Sequence, residues 1–388
     1  MKRILQSVKS EIADKVNRIV KKFLVIRLSS LGDVVLTAPI LTAMRTVAGI
    51  EVHLLTKPKM GDLLYGGAAV DNFYTWGEAD LMAKLKAVKY DGVLDLHCNF
   101  RSYWARLILF RSSISLGIDR LIRGSFASVG SKMLKVQGYE KKRFTRWLYV
   151  KTKSPQFEVS HVQERYLYAA NQLMKRLGCA VIEISDWSVG LPEYSGFSED
   201  YQKFLPGDIS TFGEANFPGS YGVAILGGTY ETKKIPKSVW QDIFSQDNNN
   251  WYLIGGANEK GLALELVAEF GDRLIDGVGV FDLETSSRCI ALSDFVIGGD
   301  TGFSHVAATY NKPLLVIWGS TDPGLGFAAG YNNNTVLHLV SKDLSCHPCS
   351  KLGFDACPKG HFRCMKDYSA QEIKLLLQKL QANSLGGH

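Results

Sequence analysis

The same local pattern occurs twice in this chain, once near its start and once near residue 300. Residues 23–33 and residues 295–305 each show a short apolar run typical of a buried strand, a turn with glycine and hydroxyl side chains, and the beginning of a helix. A helix N-terminus presents unpaired N–H groups and the positive end of the helix dipole, so each turn is suited to bind phosphate or carboxylate. Each turn also carries an aspartate, Asp33 or Asp300. The repeated pattern predicts two facing Rossmann-like domains with chemistry between them.

The length of the chain also supports two α/β domains. A chain of 388 residues exceeds what one hydrophobic core usually holds. From residue 23 onward, apolar runs alternate with helical periods, a pattern typical of βαβ units and a mainly parallel sheet. Prolines, glycines and acidic residues accumulate over 185–220, which indicates a connection between domains. We therefore predict a basic helical extension over 1–22, a first Rossmann-like domain over 23–190, a linker over 191–220 and a second Rossmann-like domain over 221–388.

The apolar runs and helical periods also predict individual elements. Strands are expected at 23–28, 51–55, 71–75, 92–96 and 113–117 in the first half, and at 221–226, 251–254, 273–276, 294–298 and 313–318 in the second. Helices are expected at 79–88, 101–110, 161–177, 237–246, 258–270, 282–292, 303–310 and 369–382.

Hydropathy and charge narrow the class of protein. The chain has no run of about 18 apolar residues, so we expect no transmembrane helix. Residues 1–22 lack the continuous apolar core of a secretory signal, and we expect a cytoplasmic protein. The net charge is +7, and residues 120–153 contain ten Lys or Arg and one acidic residue. This stretch is either a solvated basic face or a docking site for an anionic partner, and without a nucleic-acid motif we expect a lipid rather than nucleic acid.

The turn Ser29-Ser30-Leu31-Gly32-Asp33 fits none of the common glycine motifs. It is neither the Gly-x-Ser-x-Gly of a hydrolase, nor the Gly-x-Gly-x-x-Gly of a dinucleotide fold, nor a P-loop. It does place Asp33 where the carboxyl end of a strand meets the start of a helix, the usual ligand side of an open α/β sheet. Asp33 is therefore a candidate catalytic residue, and the alternative is an aspartate that only caps the helix.

The turn near residue 300 combines an acid, a hydroxyl and a histidine. Thr301 is placed to cap the helix that follows, and His305 lies one turn later on the same face. Both side chains donate hydrogen bonds to phosphate oxygens, and Asp300 can accept one from a ribose hydroxyl or fix the turn. The alternative is a capped helix with a half-buried histidine.

Two further turns in the second half follow predicted strands. Residues 227–234 contain two glycines, Thr229 and Lys233, and residues 255–259 contain two glycines and end at Glu259. Glycine permits close approach of the backbone, and lysine supplies charge for a diphosphate. A solvated lysine pair is the alternative for the first turn taken alone. Three such turns at one edge of one sheet predict a phosphate-binding site.

These turns together carry a resemblance to a known family. From about residue 23 the chain resembles glycosyltransferase family 9, the bacterial lipopolysaccharide heptosyltransferases. The resemblance rests on Ser29-Ser30-Leu31-Gly32-Asp33-Val34, Gly255-Gly256 with Glu259, Asp300-Thr301-Gly302-Phe303-Ser304-His305, Lys312-Pro313 and Gly319-Ser320-Thr321-Asp322-Pro323. Residues 233–236 read Lys-Lys-Ile-Pro where the family usually has Lys-x-Trp-Pro.

The resemblance implies a GT-B fold, in which two Rossmann-like domains with mainly parallel sheets face each other across an interdomain cleft. It implies inverting transfer of a heptose, or a related sugar, from an ADP-sugar such as ADP-heptose to a lipopolysaccharide core or related glycolipid. Asp33 matches the catalytic base of the family. The donor-binding residues of the family match Thr229, Lys233, Glu259, Asp300, Thr301, Gly302 and His305.

The same resemblance implies partners and cofactors. No metal is required if Lys233, Thr301 and the helix N-terminus offset the charge of the leaving group. The basic stretch is expected to engage a phosphorylated glycolipid acceptor and the anionic inner face of the inner membrane. Candidate acceptor-binding residues are Lys141, Lys142, Arg143 and Arg146. Two alternatives stay open: another GT-B enzyme, such as a nucleotide-sugar epimerase, and a non-catalytic protein that binds a nucleotide sugar or lipid.

Four of the seven cysteines are clustered near the C-terminus with the spacing C-x2-C-x7-C-x6-C. Four thiols at this density are suited to tetrahedral zinc, although the spacing is not that of a standard zinc knuckle. A structural metal, a disulfide and reduced packing thiols therefore all stay open. The residues concerned are Cys346, Cys349, Cys357 and Cys364.

Overall fold

The structure, a computed structural model, describes residues 20–109, 134–194, 220–341 and 343–385. Most of the predicted extension over 1–22, the predicted strand 113–117 and most of the predicted linker lie outside these residues. The chain divides into two compact units. The first contains the described residues up to Glu140 and Gln163–Asp186, and the second contains Lys141–Val162 and the described residues from Trp187 onward.

The first part of the chain alternates strands with helices, as the pattern predicts. In chain order the elements are β1 Lys21–Ile26, α1 Leu31–Val35, α2 Ala38–Thr46, β2 Ile50–Thr56, α3 Met60–Gly66, β3 Asn72–Thr75, α4 Leu81–Ala87, β4 Gly92–Asp95, α5 100–109, β5 Lys135–Gly138, α6 Arg143–Thr152 and α7 Val162–Arg176. The strands form one parallel sheet in the order β3-β2-β1-β4-β5.

Strand β1 lies at the centre of this sheet and determines where ligands are expected. Val25 pairs with Leu54 on one side and with Leu94 on the other, and all three side chains are buried. Strands covered on both faces read as continuous apolar runs, which is why the sequence revealed them. The strand order reverses between β1 and β4, and ligands of open α/β sheets bind beyond the carboxyl ends of the strands at this point.

The second unit repeats the scheme with six parallel strands. From residue 221 onward, its elements in chain order are β6 Tyr221–Ile225, α8 Lys237–Gln246, β7 Asn250–Ile254, α9 Lys260–Phe270, β8 Leu274–Asp276, α10 Leu283–Leu292, β9 Phe295–Gly298, α11 Gly302–Thr309, β10 Leu314–Ile317, β11 Val336–Leu339, α12 Arg363–Lys366 and α13 Ala370–Leu385. The sheet order is β11-β10-β9-β6-β7-β8, so the order reverses between β9 and β6.

Aromatic side chains fill the core beneath this second sheet. Trp240 and Phe244 of α8 stack at 5.6 Å between ring centroids, and Phe244 meets Trp251 of β7 edge-on at 5.3 Å. Trp251 in turn contacts Phe295 of β9 at 5.0 Å. A methyl group at Gly222 would come within 2.7 Å of the Phe295 ring, so the glycine leaves room for this cluster. The cluster joins α8 to the strands that flank the reversal point.

The structure confirms the nine predicted strands that lie in the described residues, with bounds shifted by one or two positions. The sequence analysis missed the strands β5 and β11 and the helices α3, α6 and α12. Strand β5 has the sequence KVQG and is half-exposed at the edge of its sheet, and β11 lies at the other sheet's edge with one exposed residue, so neither is a buried apolar run. Residues 141–162, which the prediction placed in the first domain, belong to the second unit.

None of the helices in the described ranges is long and apolar enough to cross a membrane.

Candidate active site

Asp33 lies in the first turn of α1, directly beyond the carboxyl end of the central strand of the first sheet. Its Oδ2 atom accepts hydrogen bonds from the backbone N–H of Ser30 at 3.2 Å and from Ser30 Oγ at 3.1 Å. The same Oδ2 lies 2.5 Å from Nη2 of Arg27. The aspartate therefore does cap its helix, as the alternative interpretation proposed, but only with one of its two oxygens.

Arg27, which directly follows β1, holds this carboxylate in place. Its side chain is buried, and a second guanidinium nitrogen, Nη1, donates to the backbone oxygen of Leu96 after β4. The guanidinium also lies over the ring of Tyr166 from α7, 5.8 Å from its centroid. The sequence analysis missed Arg27, although a single cation at the end of an otherwise apolar strand was a usable signal.

The electrostatics of Asp33 follow from these contacts. Burial acts to raise the pKa of the Asp33 carboxyl, but the charge of Arg27 and the Ser30 hydrogen bonds outweigh it and hold the pKa below its ordinary value. Asp33 is therefore ionised at neutral pH. Its side chain is 24% exposed, and none of the described residues donates to Oδ1.

The turn after β4 adds polar groups that the sequence analysis did not single out. Asp95, fully buried at the end of β4, accepts from the backbone N–H groups of His97 at 3.0 Å and Cys98 at 2.7 Å. Arg106 of α5 pairs with its other oxygen at 3.1 Å. These contacts shape a turn that carries His97 and Asn99 at the reversal point of the first sheet. The signal available in the sequence was a polar run directly after a buried strand.

In the second unit, Asp300 is the centre of a buried charge pair. Lys233 Nζ lies 2.6 Å from Asp300 Oδ2, and Thr321 Oγ1 donates to the same oxygen at 2.8 Å. The Asp300 side chain is 11% exposed. Burial acts to raise its pKa, but the charge and hydrogen bond of Lys233 outweigh it and lower the pKa of Asp300. The turns after β6, β9 and β10 therefore meet at one carboxylate.

A second pair lies at the end of β7. Lys234 Nζ is 2.8 Å from Oε1 of Glu259 and also pairs with Glu231. Burial acts to lower the pKa of Lys234, but the two carboxylates outweigh it and raise that pKa. Glu259 Oε2 accepts from the backbone N–H of Gly256 at 2.9 Å, which closes the glycine turn. The two neighbouring lysines thus point to different acids, and neither is the solvated lysine of the alternative interpretation.

The remaining predicted donor residues lie around α11. Thr301 precedes the helix in extended conformation, and Gly302 is its first residue. Helix α11 also buries His305, which acts to lower the pKa of Asp300. Thr229 is exposed in the turn after β6. The structure therefore brings Lys233, Asp300, Thr301, Gly302 and His305 together and places Glu259 at the adjoining turn.

Thr232 fixes the turn that carries both lysines. It is buried, and its Oγ1 lies 2.7 Å from Ser320 Oγ and accepts from the backbone N–H of Phe354 at 2.8 Å. Gly299 allows the turn to pack this closely, because a Cβ at that position would lie 2.0 Å from the backbone oxygen of Lys233. Nothing in the sequence around Thr232 indicated this role, since both partners are far away along the chain.

The cysteine cluster packs beside this turn. The four thiols are free, and burial raises the pKa of Cys364 to about 12, so that this thiol is protonated at neutral pH. The backbone N–H of Cys349 donates to the oxygen of Ser320 at 3.1 Å, which connects the cluster to the turn after β10. Within the described ranges no three His, Cys, Asp or Glu side chains are placed to hold a metal ion. The four cysteines form no disulfide in the structure, which agrees with reduced thiols.

Arg146, one of the predicted acceptor-binding residues, is buried and not exposed to a ligand. Its Nε donates to the backbone oxygen of Leu325 at 3.0 Å, and its guanidinium lies 4.0 Å from the ring centroid of Phe327. It therefore packs α6 against the second unit rather than facing a ligand. Lys141 and Lys142 are half-buried and Arg143 is exposed.

Comparisons with known proteins agree on one family. The family model described as glycosyltransferase family 9 (heptosyltransferase) matches residues 79–354. Among curated relatives, lipopolysaccharide heptosyltransferase 1 of Escherichia coli K12 is 24% identical over 341 residues, which cover 81% of this chain and 92% of that protein.

Solved structures show the same fold. A glycosyl transferase family 9 protein from Veillonella parvula matches with a TM-score of 0.64 at 17% identity, over 94% of this chain and 98% of that one. The E. coli heptosyltransferase WaaC with ADP has a TM-score of 0.56 at 19% identity, over 92% and 99%. The iron-containing glycosyltransferase TibC from enterotoxigenic E. coli has a TM-score of 0.53 at 12% identity, over 94% and 77%.

The predicted GT-B fold class is thereby confirmed, with two α/β units that each contain a parallel sheet. The match to the family model covers well over half of the sequence and includes the turns that carry Lys233, Glu259 and Asp300. On this ground, the chain belongs to glycosyltransferase family 9, the heptosyltransferase family.

Proposed function

We propose that this protein is an inverting heptosyltransferase that transfers a heptose from ADP-heptose to a lipopolysaccharide core or a related glycolipid. Asp33 is the general base. Three findings support the choice of ADP-heptose as donor and a lipopolysaccharide as acceptor. The chain belongs to the heptosyltransferase family, one relative is named lipopolysaccharide heptosyltransferase 1, and one structural neighbour was solved with ADP. The observation that carries the mechanism is the environment of the Asp33 carboxylate. Arg27 contacts its Oδ2 atom and lowers its pKa, and no described residue donates to its Oδ1 atom.

The reaction requires a base for the acceptor hydroxyl. Its oxygen attacks the anomeric carbon of the heptose from the face opposite the diphosphate, the bond from that carbon to the diphosphate oxygen breaks, and ADP leaves with the electron pair. The hydroxyl proton passes to Oδ1 of Asp33. A carboxylate of low pKa is a weak base towards a free alcohol. It accepts the proton late, because the hydroxyl becomes acidic as its oxygen bonds to the anomeric carbon.

The second unit supplies the charge that the leaving group needs. Lys233 and Thr301 lie beside the N-terminus of α11, where unpaired N–H groups and the helix dipole favour a diphosphate. Asp300 holds Lys233 in position at 2.6 Å, so the cation is oriented before the nucleotide binds. We assign His305, Gly302, Glu259 and Thr229 to the same donor site.

On the acceptor side, we assign Lys141, Lys142 and Arg143 to phosphates of the glycolipid, and Arg146 leaves the set because it is buried. The protein would then act in the cytoplasm at the inner face of the inner membrane. No described residue favours the epimerase or the non-catalytic alternative over this assignment.

Asp33→Asn should retain ADP binding and lower the turnover number by roughly two to four orders of magnitude, because the variant cannot accept the proton. Transfer is measured by mass spectrometry with ADP-heptose and deacylated lipopolysaccharide, and folding by thermal denaturation. Near-normal turnover in a folded variant would reduce Asp33 to a helix cap.

Arg27→Met should raise the pKa of Asp33, because the buried carboxylate loses its cation. The acidic limb of kcat/KM against pH then moves to higher pH, and a ¹³C titration of Asp33, assigned with Asp33→Asn, moves with it. In the parent chain, the pair stabilises the fold above the ordinary aspartate pKa, and this stabilisation is lost as the pH falls through the lowered pKa of Asp33.

The control for Arg27→Met is Arg45→Met, which removes the partly exposed pair with Asp71 in the same unit. It should leave both the acidic limb and the Asp33 titration unchanged. If Arg27→Met leaves the ¹³C titration where it was, Arg27 does not act on Asp33. If the titration moves while the acidic limb stays, Asp33 is not the base.

Lys233→Ala should weaken ADP binding about ten- to a hundredfold, the range expected for a lost hydrogen bond to a charged group, and change adenosine binding little. The charge of Lys233 is assigned to phosphate, which adenosine lacks. Lys237→Ala is the control, since Lys237 of α8 pairs with Glu265 at 2.7 Å and should not affect ADP binding. An equal loss for ADP and adenosine in calorimetric titrations points to Lys234 as the phosphate ligand instead.

Transfer should persist in excess EDTA. A divalent ion at the diphosphate would need carboxylates presented to it, whereas Asp300 and Glu259 are each paired with a lysine. Activity abolished by EDTA and restored by Mg²⁺, Mn²⁺ or Fe²⁺, with the circular dichroism spectrum unchanged, would show that the reaction uses a metal and that this assignment is wrong.

A further inference from the structure

Helix α6 has one face that packs and one that does not. Tyr149 Oη donates to Asp322 Oδ1 at 2.6 Å, and Arg146 is held by Leu325 and by the Phe327 ring. These contacts place the helix firmly on the second unit. Because the packed residues lie on one side of the helix, the residues of the other side are directed into solvent.

The solvent side of α6 carries two large aromatic side chains. Phe144 is 70% exposed and Trp147 is 45% exposed, and the two rings stack with 5.8 Å between centroids at an angle of 22°. They are three positions apart and so lie on the same face of the helix. Two adjacent exposed aromatics on a rigid helix form an apolar patch, and such patches commonly mark a binding surface.

The chain around this patch is basic. Residues 141–157 contain six Lys or Arg and no Asp or Glu, with Glu140 and Glu158 at either end, and one of the six, Arg146, is buried. Arg143, next to Phe144, and Lys151, one turn beyond Trp147, are both exposed. An apolar face flanked by cations is the composition of helices that lie in a membrane interface, where the aromatic rings enter the headgroup layer and the cations meet anionic lipid.

We propose that α6 docks this enzyme onto an anionic membrane surface, with Phe144 and Trp147 inserted among the lipid headgroups. The proposal rests on the proposed function in one respect, namely that the acceptor is a lipid. The docking proposal goes beyond the proposed function because it names the surface of the enzyme that contacts the membrane. Charge complementarity selects an anionic occupant, and an exposed aromatic pair flanked by cations on one helix is the composition that enters a lipid headgroup layer.

The position of α6 also connects this surface with the donor site of the same unit. Tyr149 binds Asp322, the neighbouring Thr321 binds Asp300, and Asp300 binds Lys233. A helix held in this way cannot turn its aromatic face inward without breaking the Tyr149 contact. The Tyr149 contact therefore keeps the aromatic pair on the outer face of α6.

The test uses the full chain with the double substitution Phe144→Ser and Trp147→Ser. Binding is measured by co-sedimentation with vesicles of phosphatidylcholine, with or without phosphatidylglycerol. The parent chain should bind the anionic vesicles and not the neutral ones, and the double variant should bind about tenfold or more weakly, as expected when two partly buried aromatic side chains are removed from an apolar phase. The control is Leu264→Ser with Leu375→Ser, which replaces two exposed apolar residues of the same unit on α9 and α13.

Turnover separates this proposal from the proposed function. The double variant should match the parent chain on deacylated, water-soluble acceptor and fall below it on acceptor embedded in anionic vesicles. Equal vesicle binding by the parent and the double variant, or equal binding to neutral and anionic vesicles, would overturn the docking proposal. A loss on the soluble acceptor would also overturn it, because the rings would then stack on acceptor sugars. If the parent chain transfers no heptose at all, the proposed function fails, and vesicle binding still decides the docking proposal.

Discussion

Every strand in the two described sheets runs parallel to its neighbours, and this constraint organises the candidate site. Parallel strands place all their carboxyl ends at one edge, so turns far apart in sequence become neighbours. In the second unit, the turns after β6, β7, β9 and β10 meet in this way. A Cβ at Gly228 would lie 3.3 Å from Thr301, and one at Gly227 would lie 3.3 Å from Glu259 Oε2. Glycine suits both positions because a side chain there would hold the neighbouring turns apart.

At the carboxyl edges of the two sheets, three of the candidate site acids each have a cationic partner. Asp33 pairs with Arg27, Asp300 with Lys233 and Glu259 with Lys234. An isolated carboxylate in such surroundings would lose much of its hydration, whereas a paired and hydrogen-bonded one keeps its charge. The pairs therefore hold the turns in position, and Arg27 and Lys233 lower the pKa of Asp33 and of Asp300. Catalysis benefits from this order, since groups that are already oriented need no rearrangement when charge develops.

Burial explains which elements the sequence predicted and which it missed. Central strands such as β1 and β9 were recognised because burial on both faces selects continuous apolar runs. Edge strands β5 and β11 were missed because half-exposed strands tolerate polar residues. Helix α6 was hidden in a basic stretch, where Arg146 looks like its neighbours although it is buried against Phe327. A local charge count cannot distinguish a cation that packs from one that is solvated.

The sequence by itself determined the α/β alternation, the turns at the strand ends and the residue types in those turns, because periodicity and glycine placement are local properties of the chain. Only the tertiary structure decided the partners. It assigned Lys233 to Asp300 and Lys234 to Glu259, anchored Thr232 on Ser320 and Phe354, and turned Phe144 and Trp147 outward. Each of these depends on which distant segment packs alongside, and the free energy of an ion pair or hydrogen bond depends on that distance and burial. Residue spacing along the chain carries no record of either.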